Sequence, residues 1–480
     1  MGKEGGGGAG KKMFVGVVWN CAAELKFLIT ALIFLGLIII GLQLFFPSLH
    51  SQYNPDLRLC ISSSTEIQIP PPLPSPPPPP PPPSVKQDET LSSGIIKRAF
   101  NPYGSAAYNF IQMGSYRGGL NTFAIIGLSS KPLHLYGKPR YQCDWVPHDG
   151  NQSEIISTVG YKILPDWDPI IPVGGKLILH ASTSGGGDRD ADYTDKIESL
   201  IESPGSLNLS IFTSPPKYDY LYCGSSLYGN LSPQRVREWI AYHVKLFGEK
   251  SHFVIHDAGG IHPDVLQVLI PWMEKGFVTL QDIREQERFD GYYHNQFMVV
   301  NDCLHRYRFM AKWMFFFDVD EFVYVPPKNT IGSVLDSLKD YTQFTIEQMP
   351  MSNKLCLASD AGKTLRKWGF EKLVYRDVKR GIRRDRKYVV QPRNVFATGV
   401  HMSQNLAGKT LHKTESRIKY FHYHGTIAER REPCRQLVNS TEITSDGTPY
   451  VLDETLRRAA ASIKRFELKT VGTRLQKMRQ

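Results

Sequence analysis

Three carboxylates arrive almost together in the stretch KWMFFFDVDEFVYVPP, from Lys312 to Pro327: Asp318, Asp320 and Glu321. Asp318 and Asp320 are two apart, so on extended backbone they share a face and Val319 turns the other way. Two convergent carboxylates are hard oxygen ligands that suit Mn²⁺ or Mg²⁺, and such an ion neutralises a diphosphate. A solvated acidic turn is the alternative for a bare Asp-x-Asp. The aromatic run Trp313 to Phe317 just before it favours the metal–diphosphate site. That run reads as a strand buried on both faces of a parallel sheet. Charge at the C-terminal end of such a strand lies at the mouth of the crevice where open α/β sheets bind ligands.

The elements that must position these acids begin near Tyr218. YDYLYCGSSLY reads as a strand entering a loop. Ser232 and Pro233 are a good N-cap and N1 pair for QRVREWIAYHVKLFG, with Val236, Ile240, Val244 and Phe247 on one stripe and Gly248 at its end. SHFVIHDAGG is a second strand that delivers Asp257 to a Gly-rich loop. Asp264 to Lys275 is a second helix, FVTLQDI a third strand, and Phe289 to Tyr307 a third helix leading into the acidic strand. This alternation predicts a nucleotide-binding α/β sheet. Beyond it the expected elements are a helix near Ile331 to Leu338, the strand QFTIEQMPM, two further β stretches and a closing helix from about Leu452 to Phe466.

The chain has 480 residues and a formal net charge of +11. Arg376 to Lys387 is a dense basic cluster, either a solvated face or a site for a phosphate or an anionic polymer. No nucleic-acid motif accompanies it, so nucleic acid is not expected as a partner. None of the seven cysteines forms a CxxC pair, which argues against structural zinc.

Phe27 to Phe46 is an uncharged apolar stretch long enough to span a bilayer. It runs to Phe-Phe-Pro without a small-residue cleavage site, unlike a signal peptide. Four lysines precede it and only Arg58 follows closely, which puts residues 1–26 in the cytosol and the rest in a lumen. Pro70 to Pro83 holds 12 prolines in 14 positions. At ~3.1 Å per residue in polyproline II it makes a stiff spacer of roughly 40 Å, so 47–94 reads as a stem. Six cysteines beyond the span permit up to three disulfides, with Cys60 a candidate for pairing between chains and a homodimer a candidate assembly. Asn151, Asn208, Asn230 and Asn439 each begin a glycosylation sequon.

Residues 95–214 read as short β runs punctuated by Gly, Pro, Asn and Ser, the pattern of a small β-sandwich. Trp145, Trp167, Tyr136, Tyr141 and Tyr161 are its candidates for stacking on sugar rings; core aromatics are the other reading. Arg393 and His401 are candidates for phosphate or acceptor contacts, or structural.

EWIAYHVKLFGEKSHFVIHDAGG, QFMVVNDCLHRYRFMAKWMFFFDVDEF and KYFHYHG, in this order, resemble the signatures of glycosyltransferase family 92, whose fold is GT-A. The Pro-rich stem and β-rich region further resemble that family's plant galactan synthases. The resemblance covers Tyr218 to Phe466 strongly and assigns 215–480 to the catalytic domain. It implies inverting transfer of galactose from UDP-galactose to β-1,4-galactan, a pectin side chain, with Mn²⁺, in the Golgi lumen. Asp318 and Asp320 then match the metal site, with Asp318 also turned toward the nucleotide. His422 matches the C-terminal histidine at the metal, with His424 as alternative, and Asp257 takes the position of a uridine contact. Inversion needs a carboxylate as base; Glu347, Asp360 and Glu371 lie in the plausible region, with Asp360 preferred. Transfer from UDP-arabinose or UDP-glucose, and an inactive lumenal glycan-binding protein, are the alternatives.

Overall fold

The computed structural model describes residues 85–477 apart from 104–109, 130–139, 149–153, 161–174, 183–194, 290–292, 382–383, 415 and 429. The apolar span Phe27 to Phe46, the proline run, Cys60, the Asn151 sequon, Tyr136, Tyr161 and Trp167 lie outside the described residues. Within them, no helix is long and apolar enough to cross a membrane.

Strands β1 (Tyr218–Leu227), β2 (Ser251–Asp257), β3 (Val278–Asp282) and β4 (Ala311–Phe316) run parallel, in the spatial order β3-β2-β1-β4. Helices α1 (Pro233–Phe247), α2 (Pro263–Glu274) and α3 (Gln296–Tyr307) connect them. Parallel neighbours need such crossovers, and burial on both faces explains the apolar run of β4 and the apolar centre of β2, Phe253 to Ile255. After β4 the sheet turns mixed. β5 (Glu321–Tyr324), β6 (Gln343–Pro350), β7 (Lys387–Val390) and β8 (Lys419–His422) extend it in the order β4-β7-β6-β8-β5, all neighbours antiparallel except β6 and β8. The α/β alternation expected from the sequence is therefore the frame of the fold. The closing helix, α4 (Ala460–Val471), starts later than its pattern suggested.

The apolar stripe of α1 is buried as expected, but Arg235, Arg237 and Glu238 are buried too. Their charges are matched internally: Arg235 bonds Glu238 at 2.6 Å, and Arg237 reaches Glu467 of α4 at 2.6 and 2.8 Å. The helix thus packs on the sheet with one face and on α4 with another. It also fixes the acidic strand. Trp239 Nε1 donates to the Glu321 carbonyl at 3.0 Å, the Tyr242 hydroxyl to that of Val323 at 2.8 Å, and Val323 N–H to His243 Nε2 at 3.2 Å.

The N-terminal region departs from a separate sandwich. Glu89–Thr90 and Ile96–Lys97 join the edge of the large sheet, with Ile96–Lys97 parallel to β3. A three-stranded antiparallel sheet of Asn101–Tyr103, Phe110–Arg117 and Phe123–Ser129 follows, then a four-stranded one. Met113, Ile126 and Leu128 of the first pack against Met298 and Val299 of α3. Trp145 is buried, stacked on Phe123 at 4.9 Å with the Arg117 guanidinium 5.0 Å from its ring centre. It is a core aromatic, which corrects its reading as a surface for sugar rings. Disulfides join Cys223 of β1 to Cys303 of α3, and Cys356 to Cys434; Cys143 is a free thiol.

Candidate active site

Trp313 to Phe317 are all buried, and the chain leaves β4 into a tight turn that carries both aspartates. Glu321 N–H donates to the Asp318 carbonyl at 3.1 Å, and the Glu321 carboxylate accepts from Asp318 N–H at 2.8 Å. The motif is thus a turn closed by its third acid, not extended strand.

Both carboxylate oxygens of Asp318 have protein partners, although the side chain is 38% exposed. Ser225 Oγ donates to one carboxylate oxygen at 2.8 Å and Lys387 Nζ to the other at 2.7 Å. Gln296, at the start of α3, donates in turn to Ser225 Oγ at 2.6 Å. Burial alone would raise the Asp318 pKa; the Lys387 charge and these hydrogen bonds outweigh it and hold the carboxyl below its ordinary range. Lys387 also lies 3.7 Å from Glu321. Glu321, fully enclosed, is pushed up to about 8 by burial, against the pull of Lys387.

Asp320 is the less engaged acid, although its side chain is the more buried of the two. One oxygen accepts from Gly425 N–H at 3.2 Å and the other lies 3.6 Å from His422 Nε2. Antiparallel pairing of β5 with β8 sets Glu321 opposite His422, and Gln348 of β6 meets His422 Nδ1 at 2.6 Å. Burial disfavours the charged imidazole, but Asp320, Glu321 and Asp318 raise its pKa above the ordinary value. Two residues on, His424 sets its ring 5.3 Å from that of His422, edge to face. Asp320, His422 and His424 each offer a ligand atom, all within 4.8 Å of one another. One carboxylate and two imidazoles at this spacing are a donor set for a divalent ion. Both histidines that the sequence offered as alternatives are therefore present together.

The mouths of β1 and β2 form the adjoining rim. Asp257 caps its own loop, accepting from Gly259 N–H at 2.8 Å and Ile261 N–H at 3.1 Å, with Arg284 4.0 Å from its second oxygen. A Cβ on Gly260 would come within 2.8 Å of the Leu227–Tyr228 backbone, so only glycine lets this loop close on the end of β1. Tyr228 stacks on His294 at 3.6 Å, and Ser226 Oγ donates to the His294 carbonyl at 2.8 Å. Tyr293, His294 and Asn295 all hold positive φ, unfavourable for residues with a Cβ. Such strain marks segments that the surrounding fold holds in place.

The remaining sequence candidates are drawn elsewhere. Asp360 is buried, with Lys367 on one oxygen and Arg457 on both at 2.9 and 3.0 Å. These cations hold its pKa down against burial, which makes it a poor proton acceptor. Glu371 accepts from Trp368 N–H at 3.2 Å and pairs with Lys464. Glu347 adjoins Gln348 on β6, so alternation turns it away from the His422 side. The Arg393 guanidinium donates to the carbonyls of Phe212 and Ser214 at 2.8 and 2.6 Å, a tie for the segment before β1. His401 bonds the Arg386 carbonyl at 3.1 Å. Within the basic cluster, Arg376 pairs with Asp453, Arg384 with Asp377, and Lys387 with Asp318. Lys387, Ser225 and Gln348 escaped the sequence reading, because nothing local marks them as neighbours of the acidic turn.

A nucleotide-binding type of α/β sheet with an Asp/His/His cluster at its mouth defines a candidate nucleotide-sugar transferase. The model of "Glycosyltransferase family 92" matches residues 218–478. The chain is 57% identical to galactan beta-1,4-galactosyltransferase GALS3 of Arabidopsis thaliana, over 98% of this chain and 97% of that protein. It is 54% identical to GALS2 of the same name and organism, over 98% of each chain, and 50% identical to GALS1, over 81% and 82%. The chain belongs to glycosyltransferase family 92.

Proposed function

We propose that this protein is a galactosyltransferase that moves galactose from UDP-galactose to the end of a β-1,4-galactan chain, with inversion at the anomeric carbon. The observation that carries the reading is the convergence of Asp320, His422 and His424 beside the Asp318–Lys387 pair. The similarity to relatives named galactan beta-1,4-galactosyltransferases, along almost the whole chain, supports the choice of sugar and acceptor.

The site's residues fit a divalent ion such as Mn²⁺: Asp320 contributes oxygen, His422 and His424 nitrogen, and Asp318 is kept off the ion by Ser225 and Lys387. When bound, that ion supplies Lewis-acid charge to the departing diphosphate. Lys387 offsets the charge of Asp318, and Glu321, pushed up to about 8, adds little negative charge of its own near neutral pH, so the site does not repel an incoming diphosphate. The Asp257 loop and the Tyr228–His294 pair form the rim offered to the nucleoside. Asp360 and Glu371 stay in their ion pairs, and the acceptor proton does not pass to them. The two disulfides support an oxidising lumen, in keeping with a Golgi enzyme anchored through Phe27 to Phe46.

The full chain, purified in detergent, should be offered a panel of UDP-sugars with Mn²⁺ and labelled β-1,4-galacto-oligosaccharides. The expected result is elongation by galactose from UDP-galactose. Preferential transfer from UDP-arabinose or UDP-glucose, or UDP release without elongation, would overturn it.

A further inference from the structure

We propose that Gln348 is a positioning residue that sets which ring nitrogen of His422 carries the proton, and thereby whether His422 is ready to hold a metal ion. The inference rests on His422 being a metal ligand. β6 and β8 run parallel with Pro350 opposite His422, so the Gln348 side chain crosses to the imidazole of the neighbouring strand. Its amide nitrogen stands 2.6 Å from Nδ1. The other ring nitrogen, Nε2, faces Asp320 and Glu321 at 3.6 and 3.9 Å, too far for a hydrogen bond, and so is the one offered to an ion.

A carboxamide carries a donor and an acceptor on the same carbon. With its NH₂ toward Nδ1, as here, a neutral ring must keep its proton on Nε2, aimed at Asp320. With the amide turned over, its oxygen accepts Nδ1–H, and the Nε2 lone pair is free for the ion that Asp320 and His424 also face. A partner on the second ring nitrogen is how metal-bound histidines are held in tautomer and orientation. Glutamine permits both arrangements; glutamate would fix the second.

The test measures binding of Mn²⁺ alone to the full chain, by electron paramagnetic resonance, in a double-mutant cycle. Gln348→Met should weaken Mn²⁺ binding about tenfold, and should change nothing further in a His422→Ala background. Gln348→Glu should bind at least as tightly as wild type, and that gain too should vanish with His422→Ala; it carries the test if Gln348→Met does not fold. Wild-type affinity in Gln348→Met, weaker binding in Gln348→Glu, or effects of equal size without His422 would each overturn the proposal. If His422→Ala and Asp320→Ala leave Mn²⁺ binding untouched, the metal reading itself falls. If they weaken binding and only the Gln348 variants are silent, the tautomer role alone falls.

Discussion

Two acid–base clusters sit in this molecule, built from similar parts; one is shut off from solvent and the other is left open. In the first, Asp302 of α3 meets Arg98, and neither side chain is exposed to solvent. Arg98 bonds both Asp302 oxygens at 2.5 and 3.0 Å, Gln281 at 2.8 Å, the Met113 carbonyl at 2.7 Å and Asp88 at 3.0 Å. The Tyr116 hydroxyl adds a bond to Asp302 at 2.5 Å. This cluster staples the sheet edge and the three-stranded N-terminal sheet to α3. In the second, Asp318 is just as firmly held by Lys387 and Ser225, but its neighbour Asp320 stops 3.6 Å short of His422, and His424 is exposed. A matched set of charges has nothing left to offer a ligand. A set with unspent donor atoms beside a fixed counter-charge does.

Breaking the open cluster should give the largest change. Asp320→Ala should lower kcat by at least about 10²-fold while the melting temperature stays near wild type, because the residue lies in a turn outside the core. EDTA should likewise remove transfer and Mn²⁺ restore it. Activity that survives either treatment would make the open cluster as structural as the closed one. Arg98→Met should do the reverse: it leaves Asp302 buried without its main partner, at a cost of about 3–5 kcal/mol in chemical denaturation. The fraction that remains folded should keep near-normal kcat.

Acid should sharpen the contrast. Burial tends to raise the Asp302 pKa, but Arg98 and Arg306 outweigh it and hold it at about 2. A carboxyl depressed on folding stabilises above its unfolded pKa of about 3.9, and that contribution is lost as pH falls toward the folded value. The stability advantage of wild type over Asp302→Asn should therefore shrink by about 2–3 kcal/mol between pH 5 and pH 2, followed by urea titrations. A constant difference would mean that folding leaves the Asp302 pKa unshifted, and an advantage that grows toward acid would mean that Asp302 is neutral in the folded protein. The smallest effect on chemistry is expected at Asp360. Asp360→Asn should cost about 1–2 kcal/mol of stability from its hydrogen bonds to Lys367 and Arg457, with kcat close to wild type. A collapse of kcat with unchanged KM and fold would return Asp360 to the role of base.

Local signals were legible from the residues. Helices α1 and α2 follow from their 3.6-residue stripes, with proline at the start of each, and β4 from its apolar run. The types and order of Asp318, Asp320 and Glu321 show an acidic segment after β4 but not that it turns, and the His-Tyr-His sequence keeps His422 and His424 together. The N-terminal boundary was less legible. Ile96–Lys97 is too short to carry a pattern and is a strand only because β3 offers it an edge. Trp145 looks the same in sequence whether it faces a sugar or a core.

The sequence by itself determined which segments become the parallel frame, and that a cluster of acids follows its fourth strand, because periodicity and residue type act over a few neighbours. Only the tertiary structure decided which side chains complete the site. Lys387 is 69 residues from Asp318, and Gln348 is 74 from His422. Each pair meets through the register of strands that no local pattern fixes. Packing of segments between the strands likewise set Asp360 against Arg457 and Arg393 against backbone carbonyls. A carboxylate becomes a ligand or a staple according to the partners that folding brings within about 3 Å of it.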